Sequence, residues 1–269
     1  MRVPSIDGIS IWICRHDRIS SPEDLARCWD LLSETERRRG EGFRLASDRH
    51  AYVVTRAMQR LLLSRYRATD PRSLLFDKGA FGRPSLRNAL AESADLDFNL
   101  SHDGNVIALG MVNRGTIGID VTASGCRPAF LGVARRFFTR GEVAALEALP
   151  DDARADCFLQ LWALKEAYVK ALGGGLSIPF DSFGFCLEKP ASIRFHANGN
   201  REGTSPWSFW LLSPAAGVVM AICARTADRT QPTIGVYEFR PFAEDTPMTC
   251  RPTRASLPAT IKIDKDAAL

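Results

Sequence analysis

Lysine is scarce in this sequence: the 35 basic residues among 269 divide into 29 Arg and 6 Lys, so each Lys calls for a reason. Long apolar runs are missing, and no stretch approaches the roughly 18–20 residues that span a bilayer. The N-terminus, MRVPSIDGISIWICRHD, places Asp7 where an export signal needs its apolar stretch, so export and membrane insertion are not expected. Cysteine occurs seven times, at 14, 28, 126, 157, 186, 223 and 250, but never as C-x-x-C. That odd, scattered set argues against a disulfide framework and a structural zinc site. Cys157, Cys186 and Cys223 read as small core hydrophobes in a reducing, cytoplasmic compartment. No charge of either sign dominates: 31 acidic residues leave a net +4, with a pI of about 8.7. A nucleic-acid binder usually exceeds a pI of about 9 with its basic residues on one surface. With 45% hydrophobic and 25% charged residues, the chain reads as folded rather than disordered.

The pattern of elements repeats. Residues 9–14 read as a buried strand. Ser21-Pro22-Glu23 opens a helix to about Leu32, and Ser33 with Glu36 has capping-box spacing. A longer helix follows from about Ser47 to Tyr66, with Tyr52, Val53, Met58, Leu61 and Leu62 as its apolar stripe. Beyond a loop at Gly79–Pro84, strands are expected at 98–101, 106–112 and 116–121. The second half restarts with a capping box at Thr139 and Glu142. A long helix from Asp151 or Asp152 then runs to Leu172, stopped by Gly173-Gly174-Gly175. Strands are expected at 183–187, 193–196, 208–212, 218–224 and 233–239. A shift of 110 residues lays Thr55–Arg60 on Lys165–Lys170, and a shift of 112 lays Leu100-Ser101 and Val106-Ile107 on Leu212-Ser213 and Val218-Val219. The expectation is an α+β fold of two similar lobes related by a pseudo-twofold axis, each a long helix on a small, mainly antiparallel sheet. The lobes would be 1–115 and 116–242, with 243–269 a mostly disordered tail and the site in the cleft between lobes. A unit duplicated within one chain also suits a monomer.

Three stretches carry chemistry. In Phe98-Asn99-Leu100-Ser101-His102-Asp103-Gly104, a strand delivers Ser101 and His102 to an exposed turn, where hydroxyl and imidazole can reach an anion. Neighbours on a strand face opposite ways, so these two do not form a nucleophile–base pair. In Ile117-Gly118-Ile119-Asp120-Val121-Thr122, an Asp interrupts a β-branched strand and needs a partner, a metal or a helix terminus. Thr122 shares its face. In Phe158–Lys170, Glu166 and Lys170 stand at i, i+4, and two of the six Lys residues lie on one apolar helix. This leaves Lys165, Glu166 and Lys170 at the edge of a core. The run Arg37-Arg38-Arg39, with Arg44, Arg49 and Arg56, is open to two readings, a solvated helix face or a phosphate clamp.

The order FNLSH, GIDV, W-x-x-K-E-x-x-x-K and then GxGLS-xP resembles the surfactin-type 4′-phosphopantetheinyl transferases. Phe81-Gly82-Arg83-Pro84 is similar to that family's G-[KR]-P loop, and Ser177–Phe183 to the segment after its catalytic helix. The resemblance covers roughly residues 30–240. It implies transfer of the phosphopantetheine arm of coenzyme A to a serine of an apo acyl or peptidyl carrier protein, with release of adenosine 3′,5′-bisphosphate. Carried over, Asp120 and Glu166 would hold Mg²⁺, and Glu166 would take the serine proton directly or through a metal-bound water. Lys170 would stabilise charge on the pyrophosphate bridge with Lys165 nearby, while Ser101 and His102 would bind coenzyme A phosphates. Arg83, Arg38, Arg49 and Arg56 would serve the nucleotide end. The departure is Thr122, where many members carry a second carboxylate. Arg135, Arg136 and Arg140 beside Phe137 and Phe138 could meet an acidic carrier helix.

Two rivals remain in view. A non-catalytic coenzyme A or carrier-protein binding module would share these residues. A His-Asp phosphohydrolase is hinted at by His16-Asp17 and His102-Asp103, but only four His are present and such chemistry wants several converging ligands.

Overall fold

Capping chemistry sets the helix ends. The computed structural model describes residues 8–87, 96–124, 130–197, 206–226, 232–256 and 260–262. Helix α1 is Pro22–Leu31, with Ser21 Oγ accepting from the Asp24 amide. Helix α2 is Glu34–Glu41, and both halves of the Ser33/Glu36 capping box form. Helix α3 (Ala46–Arg67) is followed after a break by α4 (Phe130–Phe137) and α5 (Arg140–Glu147), where the Thr139/Glu142 box forms as well. Helix α6 is Asp151–Leu172 and stops at Gly173, whose φ of +69° suits glycine.

The strands are β1 (Ile9–Arg15), β2 (Phe76–Lys78), β3 (Pro84–Leu86), β4 (Leu96–Asp103), β5 (Val106–Asn113), β6 (Gly115–Ala123) and β7 (Phe183–Cys186). They continue with β8 (Arg194–Ala197), β9 (Ser208–Ala215), β10 (Val218–Thr226), β11 (Thr233–Glu238), β12 (Thr246–Pro247), β13 (Pro252–Ala255) and β14 (Thr260–Lys262). One sheet runs β12-β11-β1-β5-β4, with β14 also on β11, and a second runs β13-β9-β10-β6. The two remaining pairs are the hairpins β2–β3 and β7–β8.

The fold is α+β and two-lobed, as expected. The order β1-α3-β4-β5 recurs as β6-α6-β9-β10 with the same antiparallel neighbours. The 112-residue shift lays β4, residues 96–103, on β9, residues 208–215. The helices match over their whole length, 46–67 on 151–172, a smaller shift than the 110 expected. The sheets face each other across Ile9, Ile11, Ile117, Ile119, Trp210, Met220 and Ile222. Helix α3 covers the outer face of the first sheet through Val54, Met58, Leu62 and Leu63. Helix α6 covers the second through Phe158, Leu161, Leu164 and Ala167. Strand β5 therefore faces two cores, Ile107, Leu109 and Met111 outward and Val106, Ala108 and Val112 inward, which explains its unbroken apolar run.

Two expectations differ from the structure. β11 lies parallel to β1 in the first sheet, so the second segment returns to the first lobe instead of stopping at a boundary. The stretch expected to be a disordered tail supplies β12, β13 and β14, which cover the edges of β11 and β9. Exposed amide edges invite pairing, and here β12, β13 and β14 take that place. Residues 1–7, 257–259 and 263–269 and Cys126 lie outside the described residues.

Among the described residues β6 pairs with β10 alone, and on its other side it lies along β4 without a backbone ladder. Its amides there are met by side chains. Ile117 N donates to Asp97 Oδ2 (2.8 Å), Ile119 N to Asn99 Oδ1 (2.9 Å), Val121 N to Ser101 Oγ (3.1 Å) and Ala123 N to Asp103 Oδ2 (2.8 Å). Alternate residues of β4 thus form a polar ladder across the corner between the sheets, while Phe98 and Leu100 face the α3 core. Asn99→Ala leaves the buried Ile119 amide unmet and is expected to lower stability by about 1–3 kcal/mol in urea unfolding. A loss within about 0.5 kcal/mol, ordinary for a surface change, would show that the ladder carries no weight.

Candidate active site

A glycine lets the site form. A Cβ on Gly118 would lie 1.9 Å from the Ala167 carbonyl oxygen and 2.5 Å from the Ala171 nitrogen, so α6 rests directly on β6 at this point. Two residues on, Asp120 faces the same helix, and Lys170 Nζ reaches Asp120 Oδ1 at 2.6 Å and Ser101 Oγ at 2.9 Å. Ser101 Oγ also donates to Asp120 Oδ1 (3.1 Å), and Thr122 Oγ1 donates to Asp120 Oδ2 (2.8 Å). Asp120, Ser101 and Thr122 are all buried. The lone Asp of an apolar strand therefore has an ammonium and two hydroxyls as its partners, as its burial requires.

Glu166 lies one turn before Lys170 on the same face of α6. Among the described residues its carboxylate makes no hydrogen bond or ion pair, and Lys170 pairs with Asp120 instead of closing the i, i+4 bridge. Burial and the nearby Asp120 carboxylate push the Glu166 pKa up, and Lys170 pulls it back. No three His, Cys, Asp or Glu side chains gather as a metal cage among the described residues. Two hard carboxylates that repel each other still suit a divalent cation that keeps waters and takes its other oxygens from a ligand. Asp120 and Glu166 are the residues that would hold it.

His102 follows Ser101 but faces away from Asp120 and is exposed. The protein around its ring and then the Lys170 ammonium push its pKa down; Asp103 opposes this, while His16 and Arg56 add to it. His16 sits in the turn after β1, its Nε2 3.1 Å from the Gly104 carbonyl, and its ring lies 5.6 Å from that of His50. Buried polar atoms without partners, His16 Nδ1, Arg56 Nε and Gln59 Nε2, occur in this neighbourhood. Positive charge and the unmet Arg56 and Gln59 donors together suit an anion. His16 and His50 were not read as members of this group from sequence, because they come from different elements and meet only after folding.

Three expected site residues are placed differently. Ser101 is buried against Asp120, not on an exposed turn. Lys165 is fully buried on another face of α6, where its Nζ contacts the carbonyls of Phe180 and Phe183 (both 2.7 Å) and Glu142 Oε2 (2.9 Å). Burial lowers its pKa and the Glu142 carboxylate raises it. Arg83 directs its guanidinium inward, to carbonyls of α6, β4 and β6. Of the remaining arginines, Arg38 pairs with Glu34 on a solvated face, and Arg49 stands 4.7 Å over the Trp29 ring. Arg56 bonds Gln59 Oε1 (2.7 Å), and its charge reaches His102.

A buried carboxylate paired with a partly exposed ammonium, a second carboxylate of raised pKa and a cationic rim form a centre suited to a phosphorylated ligand. Comparison with known proteins agrees. The profile of the 4′-phosphopantetheinyl transferase superfamily matches residues 116–223, and that of the 4′-phosphopantetheinyl transferase N-terminal region matches 19–113. The 4′-phosphopantetheinyl transferase Sfp of Bacillus subtilis is 30% identical over 217 residues, 79% of this chain and 90% of the relative. A putative 4′-phosphopantetheinyl transferase of Synechocystis sp. is 37% identical over 167 residues, 62% of this chain and 65% of its own length. HetI of Nostoc sp., also a 4′-phosphopantetheinyl transferase, is 33% identical over 172 residues, 64% and 71% of the two chains. The chain belongs to the 4′-phosphopantetheinyl transferase family, in its surfactin-type group.

The charge around His102 yields a measurable expectation. In the free protein its imidazole should titrate below the ordinary value of about 6.5, and adding pyrophosphate should move the midpoint upward. Proton NMR of the His102 ring reads both; a midpoint indifferent to pyrophosphate would remove the imidazole from the anion site.

Proposed function

We propose that this chain transfers the phosphopantetheine arm of coenzyme A to the serine of an apo acyl or peptidyl carrier protein, with Mg²⁺, releasing adenosine 3′,5′-bisphosphate. The observation that carries the reading is Glu166, a carboxylate of raised proton affinity that has no hydrogen bond or ion pair among the described residues, beside Asp120 and Lys170. A carboxylate whose proton affinity is raised is the stronger base toward a serine hydroxyl.

The carrier serine Oγ attacks the phosphorus that bears the pantetheine arm. The new O–P bond forms as the bridging P–O bond breaks, and its electron pair leaves on the nucleotide. Glu166 takes the serine proton. Lys170, already drawn to 2.6 Å from Asp120 and 2.9 Å from Ser101, faces the charge growing on the bridging oxygen. His102 and Arg56 neutralise the phosphates. Mg²⁺ bound between Asp120 and Glu166 would supply positive charge to the pyrophosphate oxygens. Thr122, donating to Asp120 Oδ2, orients that carboxylate where a third acid is absent.

For the carrier, Arg136 and the exposed Phe137 at the end of α4 present a cation beside an apolar side chain, with Arg140 starting α5. Phe138 is no part of that surface: it is buried and stacks on Phe158 at 5.3 Å. Arg135 is paired with Glu147 (2.7 Å). We further propose a monomer in the cytoplasm; the six described cysteines are free, as a reducing compartment would keep them, and no helix among the described residues is long and apolar enough to cross a membrane.

Incubation with Mg²⁺, coenzyme A and an apo carrier should add the phosphopantetheine mass to the carrier. Glu166→Gln should cut the rate by about 10²–10⁴-fold, and the wild-type rate should rise with pH as Glu166 loses its proton. The sign follows from the base needing its deprotonated form. Binding of coenzyme A without transfer to any of several carriers would favour the non-catalytic module, and release of free phosphate would favour a hydrolase.

A further inference from the structure

Arg83 comes from a loop remote in sequence from the catalytic helix. Hairpin β2–β3 presents it: the Gly79 amide donates to the Arg83 carbonyl (2.9 Å), and the Gly82 amide to that of Gly79 (2.8 Å). Its side chain, 17% exposed, passes Gly173 at the end of α6. Nη1 donates to the carbonyls of Lys170 (2.7 Å) and Ala171 (2.8 Å). Nη2 donates to Asp97 Oδ2 (2.6 Å) and to the carbonyls of Phe98 (3.2 Å) and Ile117 (2.8 Å). One guanidinium thus touches α6, β4 and β6, the three elements that carry Lys170, Ser101 and Asp120. The last-turn carbonyls of a helix have no partner within it, and a planar fork with several donors can join them to neighbouring strands.

We infer that Arg83 is a positioning residue for the transfer, a clamp holding these three elements in register, and not a ligand of coenzyme A. The inference rests on the transferase reading. It differs from what the family resemblance assigns, because both Nη atoms are occupied by protein acceptors. A point cation could serve a phosphate, but it could not reach acceptors on three elements at once. Asp97 shares the clamp: its Oδ2 takes Arg83 and the Ile117 amide together, so it ties the guanidinium to the first rung of the ladder.

The experiment compares Arg83→Lys and Asp97→Ala with the wild type in the full chain, measuring kcat and, by calorimetry, the Kd for coenzyme A. A clamp predicts that Arg83→Lys lowers kcat by about 10-fold or more, since small displacements of catalytic groups are costly, while Kd stays within about threefold. Asp97→Ala should do the same, and the two losses should combine to less than their product. Should Arg83→Lys fail to fold, Asp97→Ala alone decides, and a wild-type kcat there overturns the clamp. A Kd weakened more than about tenfold with kcat retained would make Arg83 a ligand instead. If the wild-type chain transfers to no carrier, the transferase reading fails. Hydrogen exchange at Gly173 and Ile117 then still judges the clamp: faster exchange in both variants supports it, and unchanged exchange overturns it.

Discussion

The arrangement depends on how one strand edge is satisfied. On one side β6 pairs with β10, and on the other it runs along β4 with no backbone ladder between them. Side chains take that place, and a Ser, an Asn and two Asp on alternate positions of β4 accept the amides that a strand would have accepted. Buried amides left unmet would each be costly, so the acceptors must be short, polar and spaced by two. Ser101 follows from this constraint and from the site at once: its oxygen accepts Val121 N, faces Lys170 Nζ and donates to Asp120. The joint between the lobes and the candidate site share an atom.

Several arginines join elements as Arg83 does. Arg37 bonds the last-turn carbonyls of α1, Arg154 the end of α5, and Arg254 the carbonyls of Leu187 and Lys189. Arg60, almost wholly buried, joins Glu36 to the carbonyls of Pro71 and Leu74. A rigid fork suits such bridges, and a point charge does not. The two Lys of α6 do different work. Lys165 fills a closed site against Glu142, whose other oxygen accepts Phe185 N. Lys170 stays 28% exposed at the side chain and able to meet a ligand.

Much of this was legible in the sequence, and the exceptions have physical reasons. Both capping boxes, the glycine stop after Leu172 and the strand register of the repeat could be read because they depend on local spacing. That Asp120 would have a partner could be read because a buried charge on an apolar strand requires one. Lys165 was misplaced because i and i+1 on a helix lie about 100° apart, and periodicity does not say which side meets water. Arg83 gave no local sign of its five acceptors, which belong to three other elements. The strands beyond Arg240 are short and polar and form by lying on edges already built, so nothing in their own composition announces them. The alternation of Asp97, Asn99, Ser101 and Asp103 was visible, yet its meaning needed β6 beside it.

The most direct test of the account is amide hydrogen exchange along β6 in the free protein. If the side-chain ladder closes this edge, Ile117, Ile119, Val121 and Ala123 should exchange as slowly as the central amides of β10, through global unfolding. Fast exchange at those four positions, with their alternate neighbours on the β10 side protected, would mean that the edge is open and that the site is held together by something else.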